Sequence, residues 1–103
     1  MTKNTLEARS FYSEPQLNCL AAAIEDYNIL SDLGSGTHKL SDIYEFCKNK
    51  LEWCCTGDLV EQPSKGNGGG PRWKHTIRFS LDKLKRLGVV DKPVERGYWI
   101  IKG

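Results

Sequence analysis

The sequence predicts a small α+β domain, three main helices followed by a C-terminal β-hairpin, and three observations carry that prediction. Apolar residues recur at three- and four-residue spacing in three separate stretches, the mark of amphipathic helices. Clusters of Gly, Pro and Ser separate those stretches and supply starts and stops. After Gly88 the spacing changes to short branched and aromatic runs around a turn, which is strand chemistry. The chain has 103 residues, 39% of them apolar and 27% charged, the size of one globular domain and not the composition of a disordered chain.

The elements follow in order. Residues 1–12, MTKNTLEARSFY, read as a flexible N-terminal tail, with the domain over 13–103. Ser13-Glu14-Pro15-Gln16 has the marks of a helix start: a capping hydroxyl, Gln three residues on, and a proline in the first turn, where amides lack partners in any case. Leu17, Leu20, Ile24 and Tyr27 continue as one stripe, and this helix is predicted to reach about Leu33, stopping at Gly34-Ser35-Gly36. Residues 37–40 read as a short extended piece. Ser41-Asp42 then cap a second helix, buried along Leu40, Ile43, Cys47 and Leu51 and ending within 50–56. Residues 56–62 read as a further short turn of helix capped by Thr56.

Residues 63–71, PSKGNGGGP, hold four glycines in nine positions and are the costliest stretch to order. Pro71 opens the third helix, with Trp73, Ile77, Leu81, Leu84 and Leu87 on its inner face and Gly88 as its C-terminal cap. Val89-Val90 and residues 97–101, GYWII, are the strands of a hairpin whose turn lies at 92–96. Pro93 shapes that turn, and Gly97 gives a permissive backbone at the return.

Helix, short strand, helix, helix, strand, turn, strand is the order of a winged helix-turn-helix, and the sequence is read as that fold. The stretches LSDIYEF, GDLVEQPSKGNGGGPRWKHTIRFSLDKLKRLGVV and ERGYWIIKG go further. Their L-x-x-I-Y helix, P-R-W opening of the third helix, L-K-x-x-G exit and final R-G-x-W-x-I strand, in this order, resemble the N-terminal domain of Mrr-type restriction proteins over about residues 15–103. The resemblance implies a winged-helix DNA-binding module that delivers a nuclease domain, often to modified DNA. The nuclease half has no counterpart in this sequence, so DNA binding carries over and cleavage does not. The matched positions are mainly structural and do not carry a preference for a modified base.

Charge distribution leads to the same partner. The net charge is only +2. Yet residues 64–88 hold Lys65, Arg72, Lys74, Arg78, Lys83, Lys85 and Arg86, with His75 among them, against the single acid Asp82. On the third helix, Lys74, Arg78 and Lys85 lie opposite the apolar face, with His75 beside them. A helix about 10–12 Å wide fits a major groove about 12 Å across. Lys74, His75 and Arg78 are therefore the expected base contacts, Arg78 by a fork onto guanine. Arg72, at the helix start, is expected to hold a phosphate together with free amides. Lys39 and Ser41 at the second helix, and Lys92 and Arg96 in the wing, are further backbone contacts, and Lys65 with the glycines forms a pliable arm. Lys85 and Arg86 also suit the negative end of the helix, and each lysine taken alone reads as ordinary solvation.

Other classes are weighed against this. No apolar run approaches the ~20 residues that span a bilayer, and the first twelve residues lack the apolar centre of a secretory signal, so the reading is cytoplasmic without a membrane partner. Cys19, Cys47, Cys54 and Cys55 form no C-x-x-C pair. A metal set of Cys47, Cys54 and Cys55 with His38 or His75 ranks below reduced thiols, with Cys19 and Cys47 on apolar helical faces. Residues 68–70 are no nucleotide-binding loop, since no G-K-[ST] follows. With no paired carboxylates beside a lysine and no nucleophile–histidine set, the sequence predicts neither an enzyme nor a cofactor. The expected partner is double-stranded DNA, serving restriction or transcription regulation, with a nuclease domain, a partner protein or a second copy left open. The alternative is a winged helix that docks a protein without touching DNA, which an exposed patch of Trp53, Tyr98 or Trp99 would favour.

Overall fold

The computed structural model describes residues 15–63 and 70–102. The expected tail at 1–12, the Ser13 cap, the Lys65 arm and the glycines at 68 and 69 lie outside these residues. Within them the protein is α+β, with five α-helices and one three-stranded antiparallel sheet. No described helix is long and apolar enough to cross a membrane.

The first helix, α1, spans Pro15–Glu25 and buries Leu17, Leu20, Ala21, Ala23 and Ile24. It is shorter than its apolar stripe predicts. The amides of Asp26 and Tyr27 both close onto the Ala22 carbonyl, at 2.7 and 3.1 Å. Asn28 then takes a left-handed backbone (φ 50°), which asparagine tolerates better than most residues. The chain leaves the helix axis there and runs into a 3-10 turn, Ile29–Asp32. Tyr27 swings out, 78% exposed, and Leu30 takes the core position instead. At the other end of α1, the Gln16 side-chain amide donates to the carbonyls of Trp53 and Thr56, both at 2.7 Å. Those bonds tie the first turn of α1 to the short helices described next.

Strand β1, Gly36–Lys39, leads directly into α2, Leu40–Lys50. Ser41 does not cap α2. The residue ahead of the helix is Lys39, which makes no side-chain cap bond, and the Leu40 amide donates to the Gly97 carbonyl at 2.7 Å. The hairpin backbone does the work expected of a hydroxyl. Ile43 and Cys47 are fully buried, with Leu40 and Leu51 half-buried at the edge of the core.

Two single-turn helices follow, α3 (Glu52–Cys55) and α4 (Asp58–Glu61). Gly57, not Thr56, precedes α4, in a backbone (φ 130°) that disfavours side chains; its amide donates to the Glu61 carboxylate at 2.9 Å. The long helix α5, Arg72–Arg86, buries Trp73, Thr76, Ile77, Ser80, Leu81 and Leu84 and packs along α1. It ends as Gly88 requires. The Val89 amide bonds the Leu84 carbonyl (2.9 Å), the Gly88 amide bonds the Lys85 carbonyl (3.0 Å), and Gly88 has φ 82°. That reversal brings Val89 against the core and leaves Leu87, expected inside, 67% exposed.

Strands β2 (Val90–Asp91) and β3 (Tyr98–Ile101) complete the sheet in the order β1-β3-β2. His38 pairs with Trp99, Lys39 with Tyr98, and Val90 with Ile101. Val90, Trp99 and Ile101 point into the core, and Tyr98 and Ile100 alternate on the half-buried side. The sheet thus closes the end of the core left open by α1, α2 and α5.

Candidate nucleic-acid interface

The start of α5 is built around Trp73, which is 5% exposed and meets Tyr44 of α2 edge-on, ring centres 6.0 Å apart. Two ammonium groups sit over this indole: Lys74 and Lys48, each 5.6 Å from the ring centre. Lys74 also lies 5.1 Å from the Tyr44 ring centre. Such contacts hold a long cationic side chain in place by the negative face of the ring. Burial pushes the Tyr44 phenol up, while the nearby Arg78 charge pulls it the other way. Lys74 and Arg78 therefore both stand beside Tyr44, and Lys85 continues the same flank of α5.

Arg72 sits half-buried at the first position of α5, but the free amides expected beside it are mostly engaged. Its own amide donates to the Gln62 carbonyl at 3.0 Å, and those of Lys74 and His75 donate to Pro71 at 3.0 and 3.2 Å. The bridge between Pro63 and Pro71 draws the chain across the helix start and consumes the first donor. A phosphate at this end would meet the Arg72 guanidinium and the Trp73 amide, not an open set of amides.

His75 is half-buried, with its ring edge-on to Phe79 at 5.4 Å. Burial, and secondarily the charge of Arg78, hold its pKa below the usual 6.5. At neutral pH it is an uncharged imidazole, suited to a base edge and not to a phosphate. His38 donates through Nε2 to the Gly34 carbonyl at 2.8 Å and is part of the turn before β1.

A second cationic group gathers at the sheet. Lys39 lies opposite Tyr98 in the β1–β3 register. Lys92 donates to the Tyr98 carbonyl at 3.2 Å and lies 5.3 Å from the Trp99 ring centre. Arg96 is exposed two residues before Tyr98, and Ser41 is exposed in the first turn of α2, whose leading amide is bonded to Gly97.

The stripe joining the two groups belongs to α2. Ser41, Tyr44 and Lys48, spaced three and four apart, share one face of that helix. Ser41 stands at the hairpin end, Tyr44 beneath Lys74, and Lys48 over Trp73. Sequence reasoning missed Tyr44 and Lys48. The signal available was that spacing, read outward from Ser41 rather than inward from Ile43. Exposed Asp42 and Glu45 border the stripe and limit the positive field on that side.

Not every cation in the basic stretch belongs to this surface. Lys83 is paired with Glu25 at 3.1 Å on the α1 side, and Lys50 with Asp32 at 2.6 Å. Among the cysteines, Cys47, Cys54 and Cys55 are buried, whereas Cys19, expected on an apolar face, is exposed. Among the described residues no group of three His, Cys, Asp or Glu is placed to hold a metal ion. Compared with protein-family models, curated proteins and solved structures, the chain matches none.

Proposed function

We propose that the chain is a winged helix-turn-helix module that binds double-stranded DNA, with α5 in the major groove and the β2–β3 turn along the backbone. The observation that carries this reading is that Lys74 with Arg78 and Lys39 with Lys92 lie at either end of one face of α2, formed by exposed Ser41 and Lys48 and half-buried Tyr44. The antiparallel order β1-β3-β2, with two strands following the long helix α5, fits such a module. One departure is the link between α2 and α5. It runs through residues 51–71 and two short helices, so α5 is positioned by its packing on α1 and not by a tight turn. In this reading Arg72, Lys39, Ser41, Lys92 and Arg96 hold phosphates, and Lys74, His75, Arg78 and Lys85 face the groove. On the resemblance read from the sequence alone, we further propose that the module serves restriction or transcription regulation in the cytoplasm and is not itself catalytic.

A second reading, a protein-docking domain, draws on Trp53 and Leu59, 60% and 47% exposed. It loses Trp99, which is buried, and keeps Tyr98 only in part. Salt dependence separates the two. Neutralising about five phosphates gives a slope of log K against log salt near −4.5. Fluorescence anisotropy with a labelled duplex at several salt concentrations measures it. No binding at low salt, or a flat slope, refutes the DNA reading.

A further inference from the structure

Asp82 is the only carboxylate in residues 64–88. It is exposed on α5, one turn beyond Arg78, and makes no ion pair with any described residue. With His75, Arg78 and Phe79 it lines a surface cavity of about 320 Å³. These four positions, i, i+3, i+4 and i+7, form one ridge beside the cationic flank. The cavity is mixed, with charged Arg78 and Asp82 beside two rings: Phe79 is 45% exposed and His75 stands edge-on to it. The His75 Nδ1 atom is sealed from water and has no hydrogen-bond partner among the described residues.

An anionic side chain on this ridge opposes any grip on phosphates, so phosphate binding does not account for it. Base edges do. In the major groove, cytosine presents an amino donor at N4 with no acceptor atom beside it, whereas adenine pairs its donor with the acceptor N7, which repels a carboxylate. We propose that Asp82 is a specificity residue whose carboxylate accepts a hydrogen bond from the exocyclic amino group of a cytosine, while Arg78 reads a guanine close by. Four residues of helix rise about 6 Å, or about two base steps of ~3.4 Å, so the two bases lie within two steps of each other. Asp82 is exposed, so its carboxylate is open to such a donor without rearrangement of the helix.

This inference rests on the DNA-binding reading, and the experiment separates the two. A pool of randomised labelled duplexes is selected with the wild-type chain, and the winners are titrated with wild type, Asp82→Ala, Asp82→Asn and Arg78→Ala. Wild type is expected to favour cytosine at one position by roughly 5- to 150-fold. Asp82→Ala removes that preference while raising affinity for arbitrary duplexes. Asp82→Asn, nearly isosteric, transfers the preference to adenine, whose N6 and N7 an amide matches. Arg78→Ala loses guanine and keeps cytosine. If wild type and Asp82→Ala bind DNA with the same base preferences, the assignment of Asp82 is overturned and DNA binding stands. If no duplex binds at low salt, both fall.

Discussion

Replacing Ser80 by alanine tests whether α5 is clasped to α1 by a charge-assisted bond. Ser80 is fully buried, and its hydroxyl donates to Glu25 Oε2 at 2.7 Å. The other carboxylate oxygen lies 3.1 Å from the Lys83 ammonium. A hydrogen bond to a charged group contributes about 1.5–3 kcal/mol. Here the Glu25 side chain keeps 16% exposure and its lysine after the substitution, so the cost falls at the lower end, about 1.5 kcal/mol. For a domain of this size that is a fall of roughly 6–12 °C in Tm. Lys83 is 57% exposed, and Lys83→Ala alone should cost about 0.2–1 kcal/mol, since solvent screens the pair. Because both side chains hold one carboxylate, the double variant should show a coupling of about 0.5 kcal/mol or more. Urea unfolding followed by circular dichroism supplies all three values. A loss below about 0.5 kcal/mol for Ser80→Ala would refute the clasp, because the desolvated oxygen would then be satisfied without the hydroxyl. Under the DNA-binding proposal the salt slope should be unchanged, since Ser80 and Lys83 face Glu25 on the α1 side of the helix.

Two further outcomes follow from titrating groups. The folded chain holds the His75 proton less tightly than the ordinary value of 6.5. The unfolded state therefore binds more protons just below that value, so this stability is full above about pH 6.5 and is lost as pH falls toward the folded pKa. His75→Gln should flatten the decline in stability between about pH 7 and pH 5, and equal slopes for both proteins would refute the assignment. Burial pushes the Cys47 and Cys55 thiols up to about 12, each raised further by a neighbouring thiol. At about pH 8 only on the order of one in ten thousand of either is thiolate, so iodoacetamide should modify exposed Cys19 first and reach Cys47 and Cys55 only on unfolding. Early labelling of Cys47 or Cys55, seen by peptide mass mapping, would contradict that order.

Local rules made much of the fold legible. The stripe Trp73-Ile77-Leu81-Leu84, the Gly88 cap and the Gly97 return are decided within a few residues, and the structure has all three. The failures lie where a distant group supplied what a nearby one was expected to supply. Ser41 was the obvious cap for α2, but the Gly97 carbonyl, more than fifty residues away in sequence, takes the amide. Tyr27 kept the period of α1, but Asn28 turned the chain first. Leu87 kept the period of α5, and the reversal through Gly88 gave its place to Val89.

The candidate site divides in the same way, and the division bears on how a basic stretch should be read. Counting cations in residues 64–88 treats Lys83 and Lys74 alike, yet one is bound to Glu25 and the other is held over two aromatic rings on an open flank. A salt pair on the α1 side removes charge from the surface; a cation–π contact fixes its position and leaves it positive. What matters for a polyanion is therefore not the total but which partner each lysine has, and that partner is tertiary. The same reasoning runs backward for Asp82. In a count it only subtracts from the basic character of α5. On a ridge with Phe79 and His75, with its neighbours cationic and no described cation paired to it, a negative charge costs the module affinity for phosphate in general. Under the DNA-binding proposal that cost falls on the ridge proposed to meet bases, and the lysines and arginines beside it are left to grip the backbone.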